Sequence, residues 1–275
     1  MLIRQDSESA DLEQVLSLKQ RPKRPSAFSA SMTLAWRALL KIKYVPEQLF
    51  DVTAFPVIFL LMFTYLFGGA ISGSTGEYLD FVLPGILVMT VSMITMYTGT
   101  DLNKDIQKGI FDRFRTLPFW RPAVLVGALL VDTVRYLLAS TIMIGLGYAL
   151  GFRPDGGFAG LLLGVAVLLV FAFSLSWIWT LLGLVVRTEK ALMAISMMVL
   201  FPLTFLSSVF VDTSTMPGWL QALVNVNPVT LVVDAVRGLA HGSATGGEVT
   251  IVLAISAGLV IVFAPLTMYF YNHKK

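Results

Sequence analysis

Two pairs of opposite charge sit inside long apolar stretches of this sequence, Asp132 with Arg135 and Asp234 with Arg237. Residues three apart share one face of a helix, so each pair can close on itself. Pairing is what lets an ionised group persist beside hydrocarbon. A coupling-ion site and a plain structural pair both fit Asp132 and Arg135; a gate and a structural pair both fit Asp234 and Arg237. A third stretch, Asp105 to Pro118, repeats apolar residues at Ile106, Ile110, Phe114 and Leu117, beside Phe111. Asp105, Lys108, Asp112, Arg113 and Arg115 are interleaved, and Pro118 stops the helix. Such a ridge suits a partner's groove or the membrane surface equally well. Phe59, Phe63, Met89, Met93, Met96, Tyr97, Phe201 and Phe205 have the side chains of an adaptable pocket for amphipathic molecules. The same residues also serve as ordinary lipid-facing or helix-packing surface.

Enzyme chemistry finds nothing to build on. There is no cysteine, hence no thiol nucleophile and no disulfide, and His241 and His273 stand in no metal-binding motif. No G-x-x-x-x-G-K-[ST] loop is present to cradle a nucleotide phosphate, and no G-x-S-x-G elbow presents a serine. The reading is therefore no catalytic residue, no metal and no cofactor held by this chain.

The elements that carry these residues follow from composition. The chain is 56% hydrophobic and 13% charged, where a soluble domain carries about 25% charge. Six apolar stretches approach or exceed the roughly 20 residues of a membrane span: 52–71, 81–100, 123–150, 158–186, 191–211 and 249–271. The third and fourth are longer than a bilayer requires. With the N-terminus in the cytoplasm, Lys and Arg gather on the inner side: eight in residues 1–51, five in 102–122, then Arg135, Arg187, Lys190, Lys274 and Lys275. Only Arg153 and Arg237 fall outside. That asymmetry orients a multi-pass protein of the cell membrane with both termini cytoplasmic. It also explains the basic residues without a nucleic-acid partner. Residues 1–25 form a polar cytoplasmic segment. Residues 26–51 read as an amphipathic interfacial helix, with Phe28, Met32, Trp36, Leu39 and Leu40 on one side and Arg37 and Lys41 on the other. The expected fold is an all-α membrane domain over residues 52–272. Asp101 closes the inner end of the second span, and the spans lack the buried acid that a proton relay needs.

The segment Gly109-Ile-Phe-Asp-Arg-Phe-Arg-Thr-Leu-Pro118, with Gly127 beyond it, resembles the G-T-x-x-R-x-x-x-x-P segment of type-two ABC exporter permeases. Asn227-Pro228-Val-Thr-Leu-Val-Val-Asp234-Ala-Val-Arg237-Gly238 is similar to that family's N-P-x-x-x-x-x-D-A-x-R stretch. Leu34-Ala-Trp-Arg37, Pro46-Glu-Gln-Leu-Phe-Asp51 and Phe67-Gly-Gly-Ala-Ile71 resemble its daunorubicin-resistance branch. Gln107-Lys108 departs from the acidic or arginine-rich pair common in the wider family. The resemblance implies the six-helix type-two exporter fold, working as a dimer of permeases with two copies of a separate ABC ATPase subunit. ATP and Mg would be used by that partner. Residues 105–117 would be the coupling helix, with Ile106, Ile110, Phe111, Arg113, Phe114, Arg115, Leu117 and Pro118 facing the ATPase. Residues 212–247 would form an outer re-entrant hairpin gated by Asn227, Pro228, Asp234 and Arg237. Phe63, Met89, Met93, Tyr97, Phe201 and Phe205 would border the path of an amphipathic drug, antibiotic or lipid.

The alternatives are a proton-coupled drug antiporter and a non-transporting membrane scaffold; a Walker-type ATPase in the neighbouring reading frame discriminates for the exporter. The topology has its own test. Single cysteines near Gly73, Asp155 and Gly246 are expected to react with an impermeant thiol reagent added to intact cells. Cysteines at Lys108 and Lys275 are expected to stay unlabelled, and their labelling would overturn the orientation.

Overall fold

The computed structural model describes residues 46–109 and 123–273, and every regular element among them is helical. Helix α1 (Pro46–Met62) runs through a π-helical turn, Phe63–Phe67, into α2 (Gly68–Ser72). Gly73, at φ 75°, takes the left-handed conformation that turns the chain back. The Ser74 hydroxyl then accepts from the Glu77 N–H at 3.2 Å and starts α3 (Thr75–Gln107). This 33-residue helix is about 50 Å long at 1.5 Å per residue. It overruns the expected 81–100 span at both ends, because its polar ends are hydrogen-bonded to neighbouring elements rather than left to unwind.

Helix α4 (Ala123–Leu150) and α5 (Gly157–Val185) follow, joined at the far end by a short turn. Thr188 caps α6 (Glu189–Phe205) by accepting from the Ala191 N–H at 3.3 Å. Two short helices come next, α7 (Gly218–Asn225) and α8 (Pro228–His241), bent by 80° relative to each other. A reciprocal pair of bonds between Thr245 and Glu248 then opens α9 (Gly246–His273).

By length and apolarity, five helical stretches are able to cross a membrane: Ala54–Ser72, Thr75–Gln107, Leu125–Leu150, Gly157–Val185 and Gly246–His273. The bent α7–α8 pair raises the number to six if it is taken as one span. The sequence had instead put its fifth span at 191–211. There α6 has only 17 residues and stops at Phe205. Leu206 leaves helical geometry at ψ 53°, and the next residues turn inward as a buried irregular strip, with Ser207, Ser208, Val209 and Phe210 all under 9% exposed.

Helix α3 is the centre of the bundle, touching α1, α4, α5, α6 and α8, while α9 packs on α5 and α8. The α3–α5 contact is made backbone to backbone. A Cβ on Gly99 would overlap the Trp179 carbonyl oxygen, and one on Gly183 would lie 2.5 Å from the Gly99 carbonyl oxygen. Without a strong hydrophobic drive inside lipid, such small-residue contacts and inter-helix hydrogen bonds hold spans together. Both are present here. Trp179 Nε1 donates to the Thr95 hydroxyl at 2.8 Å, and Asn103 Nδ2 donates to the carbonyls of Gly183 at 3.0 Å and Val186 at 2.7 Å.

Gly99→Ala is expected to lower the thermal stability of the purified protein by about 1–3 kcal/mol, the usual cost of overpacking. Gly145→Ala, where a Cβ meets nothing within 4 Å, is the matched control. Equal melting temperatures for the two variants would contradict the α3–α5 contact as drawn.

Candidate functional site: a chamber between two polar clamps

On one side the 206–211 strip is held down by α8. Asn227 works in both directions. Its Oδ1 accepts from the Val229 N–H at 2.9 Å and caps α8. Its Nδ2 donates to the Leu203 and Leu206 carbonyls at 2.8 and 2.6 Å, closing the end of α6. Pro228 takes the first helical position, where no N–H is needed. Two turns on, Asp234 accepts from the Ser208 hydroxyl at 2.7 Å and from Arg237 at 3.2 Å. Arg237 donates further to the carbonyls of Ser208 at 2.8 Å and Phe81 at 3.1 Å, and its guanidinium lies 3.9 Å over the Phe81 ring. The strip also meets α3 directly. Tyr78 Oη donates to the Phe210 carbonyl at 3.0 Å, and a Cβ on Gly85 would lie 2.6 Å from the Val209 carbonyl oxygen. Three of the four hairpin residues expected from the sequence, Asn227, Asp234 and Arg237, thus bond to one strip, while Pro228 only starts α8. Ser208 within the strip, and Tyr78 and Phe81 on α3, are distant in sequence from these residues and carry no signal there. Beyond it, Asp212 caps the Thr213–Thr215 turn, and the Ser214 N–H and hydroxyl hold its carboxyl below the ordinary range.

Toward the opposite end of α3 lies the second clamp. Asp132 is 2% exposed and accepts from Thr98 Oγ1 at 2.5 Å and from Arg135 at 2.7 Å. Arg135 also reaches Asp101 at 3.1 Å, so one guanidinium ties α4 to α3. The expectation that the spans lack a buried acid is therefore corrected: Asp132 is buried, within reach of Thr98, because Arg135 and a hydroxyl replace the water it loses. Just below, Lys104 pairs with Glu189 at 2.7 Å, and Gln107 Nε2 donates to the Arg187 carbonyl at 3.3 Å, so the α5–α6 turn is fastened to α3.

Between the clamps, α1, α3 and α6 border a half-open chamber of about 250 Å³ lined by Phe55, Phe59, Met89, Met93, Met96, Tyr97 and Met197, with Thr90 as a polar wall. Met89, Met93 and Tyr97 of the expected pathway line it. Phe63, Phe201 and Phe205 do not; they stack beside it on Phe210, at 4.5 Å for Phe63 and 5.3 Å for Phe205, with Phe201 against Phe205 at 4.2 Å. No group of three His, Cys, Asp or Glu able to hold a metal occurs among the described residues.

The expected coupling segment meets the structure only at its start. Asp105, Ile106 and Gln107 finish α3, Gly109 follows at φ 67°, and Ile106 packs against the inner cluster of Leu102, Leu125 and Leu184. The helix expected to begin at Asp105 is thus interrupted at Gly109, and Ile106 faces its own chain. Ile110, Phe111, Arg113, Phe114, Arg115, Leu117 and Pro118 lie outside the described residues, as do residues 1–45 with most of the expected interfacial helix.

Residues 30–240 match the ABC-2 type transporter family. The chain belongs to that family. This permease is 54% identical over 267 residues to the daunorubicin resistance ABC transporter permease protein DrrB1 of Streptomyces coeruleorubidus, covering 97% of this chain and 94% of that one. It is 24% identical over 212 residues to the probable doxorubicin resistance ABC transporter permease protein DrrC of Mycobacterium tuberculosis, with 76% of each chain covered. A third relative, the inner membrane transport permease YadH of Escherichia coli, is 24% identical over 236 residues, covering 76% of the permease and 80% of the relative.

Asn227 tests the clamp on the 206–211 strip, because only an amide can both accept and donate as it does. Asn227→Asp keeps the helix cap but sets a carboxylate against two carbonyl oxygens. It is expected to destabilise the permease by at least the 1–2 kcal/mol lost on deleting a cap with Asn227→Ala, about, read as thermal unfolding in detergent. An Asp variant as stable as the parent would rule the dual role out.

Proposed function

We propose that this permease is the membrane subunit of an ATP-driven exporter that moves amphipathic drugs, antibiotics or lipids out of the cell. The observation that carries the reading is its near-full-length similarity to a daunorubicin resistance permease. The apolar, methionine- and aromatic-lined chamber supports it, since such walls adapt to varied amphipathic shapes. The absence of a phosphate-cradling loop in the sequence fits a division of labour, in which two copies of a separate ABC ATPase bind and hydrolyse ATP with Mg. A second copy of the permease completes the pathway. Six spans, with both termini cytoplasmic, follow from the distribution of Lys and Arg. In this arrangement α7 and α8 form an outer re-entrant hairpin and the 206–211 strip is the floor beneath it. Residues 26–51 lie along the inner interface.

The coupling segment at 105–117 transmits the ATPase stroke, now read as the end of α3 followed by the ridge around Phe114 and Leu117. Burying each of those two side chains in a groove contributes about 1.5–3 kcal/mol before association costs. Arg113 and Arg115 orient the contact from its rim, and Pro118 sets the angle at which α4 departs. The stroke has a defined route inward: Arg135 joins α4 to α3, and Lys104 with Asn103 joins α3 to the α5–α6 turn. An antiporter would instead need a titrating acid free to exchange its proton, whereas Asp132 is already held by Arg135 and Thr98.

Phe114→Asp is expected to abolish co-purification of the ATPase subunit while the permease itself remains in the membrane. The isolated permease is expected to hydrolyse no ATP. Full recovery of the ATPase with the Asp variant, or turnover by the lone chain, would sink the reading.

A further inference from the structure

Helix α3 contains Pro84, which has no N–H to offer the carbonyl of Asp80 one turn earlier. In a membrane protein an orphaned carbonyl must find another donor. It finds His241, the last residue of α8, whose Nε2 lies 3.1 Å from the Asp80 oxygen. A carbonyl only accepts, so Nε2 carries the hydrogen and donates. That fixes the neutral tautomer and leaves Nδ1 as a bare lone pair. Nδ1 in turn faces the carboxylate of Asp155 at 4.0 Å. Two acceptors are thus set toward each other, an arrangement that gains a bond only when the ring takes up a second proton.

We propose that His241 is a proton-operated latch between α8 and the α4–α5 turn, a positioning residue through which acid on the outer side holds the hairpin shut. This rests on the reading of α7 and α8 as the outer closure of an exporter. Other charged groups face the ring from α3 and the α4–α5 turn. Asp80 on α3 contributes a second carboxylate, which accepts from the Arg153 N–H in the same turn. The ring stands at the C-terminal end of α8, where a cation is favoured. The cations in the neighbourhood are otherwise engaged: Arg153 Nη1 donates to the carbonyls of Tyr148 and Phe152, and Arg237, one turn back on α8, is spent on Asp234, Ser208 and Phe81. The Phe152 ring backs the imidazole edge-on at 6.3 Å between centroids. The turn itself is already seated on α8, since the Gly156 N–H donates to the Ala240 carbonyl at 2.8 Å. Protonation therefore tightens a contact that exists instead of building one. Nε2–H donates in both states, so α8 stays docked on α3 while the grip on the α4–α5 turn tightens or eases.

The test uses the full-length permease, which has no native cysteine, in lipid nanodiscs. Spin labels on Phe158→Cys and Ser243→Cys, both exposed positions flanking the contact, report the separation of the turn from the end of α8. The distance distribution is expected to narrow as pH falls from 8 to 5.5. His241→Gln, which keeps a donor for Asp80, and Asp155→Asn, a change at an 86% exposed side chain, are each expected to abolish that response. In proteoliposomes of the complex with the inner pH fixed, acid on the outer side is expected to slow daunorubicin export about two- to fivefold more in the parent than in His241→Gln, the scale of one partly exposed ion pair. A distribution indifferent to pH, or one that narrows equally in Asp155→Asn, would overturn the latch, and identical pH profiles for parent and His241→Gln would overturn its control of export. A distribution that narrows in a protein that exports nothing would uphold the latch and refute the exporter reading instead.

Discussion

Where α3 crosses α5, Gly99 and Gly183 put backbone against backbone, and neither glycine has room for a methyl group. A contact that close is available only to glycine, and it fixes the depth and rotation of both helices at once. From that fixed crossing, Thr95 comes under Trp179, and Asn103 comes within reach of the last carbonyls of α5. The rotation also turns Thr98 and Asp101 toward α4, where Asp132 and Arg135 meet them. The charged cluster is therefore a consequence of the glycine crossing as much as a cause of helix association. Moved by one residue along α5, the Asn103 amide would lose its carbonyls.

The same economy governs the end of the bundle that carries α8. Helix interiors satisfy their own backbone, so the costly places are ends and interruptions. Here the two ends of α8 serve three of them: the C-terminus of α6 and the N-terminus of α8 at one end, and the proline-broken turn of α3 at the other. Asn227 closes the first two, and His241 serves the third. The irregular strip between Leu206 and Val211 is tolerated at this depth because α8 and α3 provide for it from both sides.

The sequence made the broad architecture legible, and the reason is physical: a bilayer demands long apolar runs and leaves its mark on the placement of Lys and Arg. Five of the six expected spans reappear as helices. The one expected at 191–211 is helical only as far as Phe205, because hydropathy runs unbroken through Leu206–Val211 and is blind to where the helix stops. Asn227, Asp234 and Arg237 were visible as a family pattern, and Asp234 with Arg237 also as a spacing. What Asn227 does was not visible, since its two carbonyl partners belong to another helix. Met89, Met93 and Tyr97 fell in the chamber because they share a face of α3; Phe201 and Phe205 stacked beside it instead. Thr98, Asn103 and Ser208 left no trace at all, because each acts through bonds to residues far along the chain. His241, set aside for lack of a metal motif, has a partner created by a proline on α3.

The helices differ sharply in how much of themselves they hide. In its most apolar stretch α3 has 83% of its residues buried, whereas α9, equally long-lived as a span by composition, has 11%. On α9 almost any side chain of the right polarity meets the requirement, while on α3 each position answers to a specific neighbour. Divergence among permeases of this kind is therefore expected to be uneven, fast on α9 and slow on α3. A genealogy built from the last helix would run on a different clock from one built from the second span.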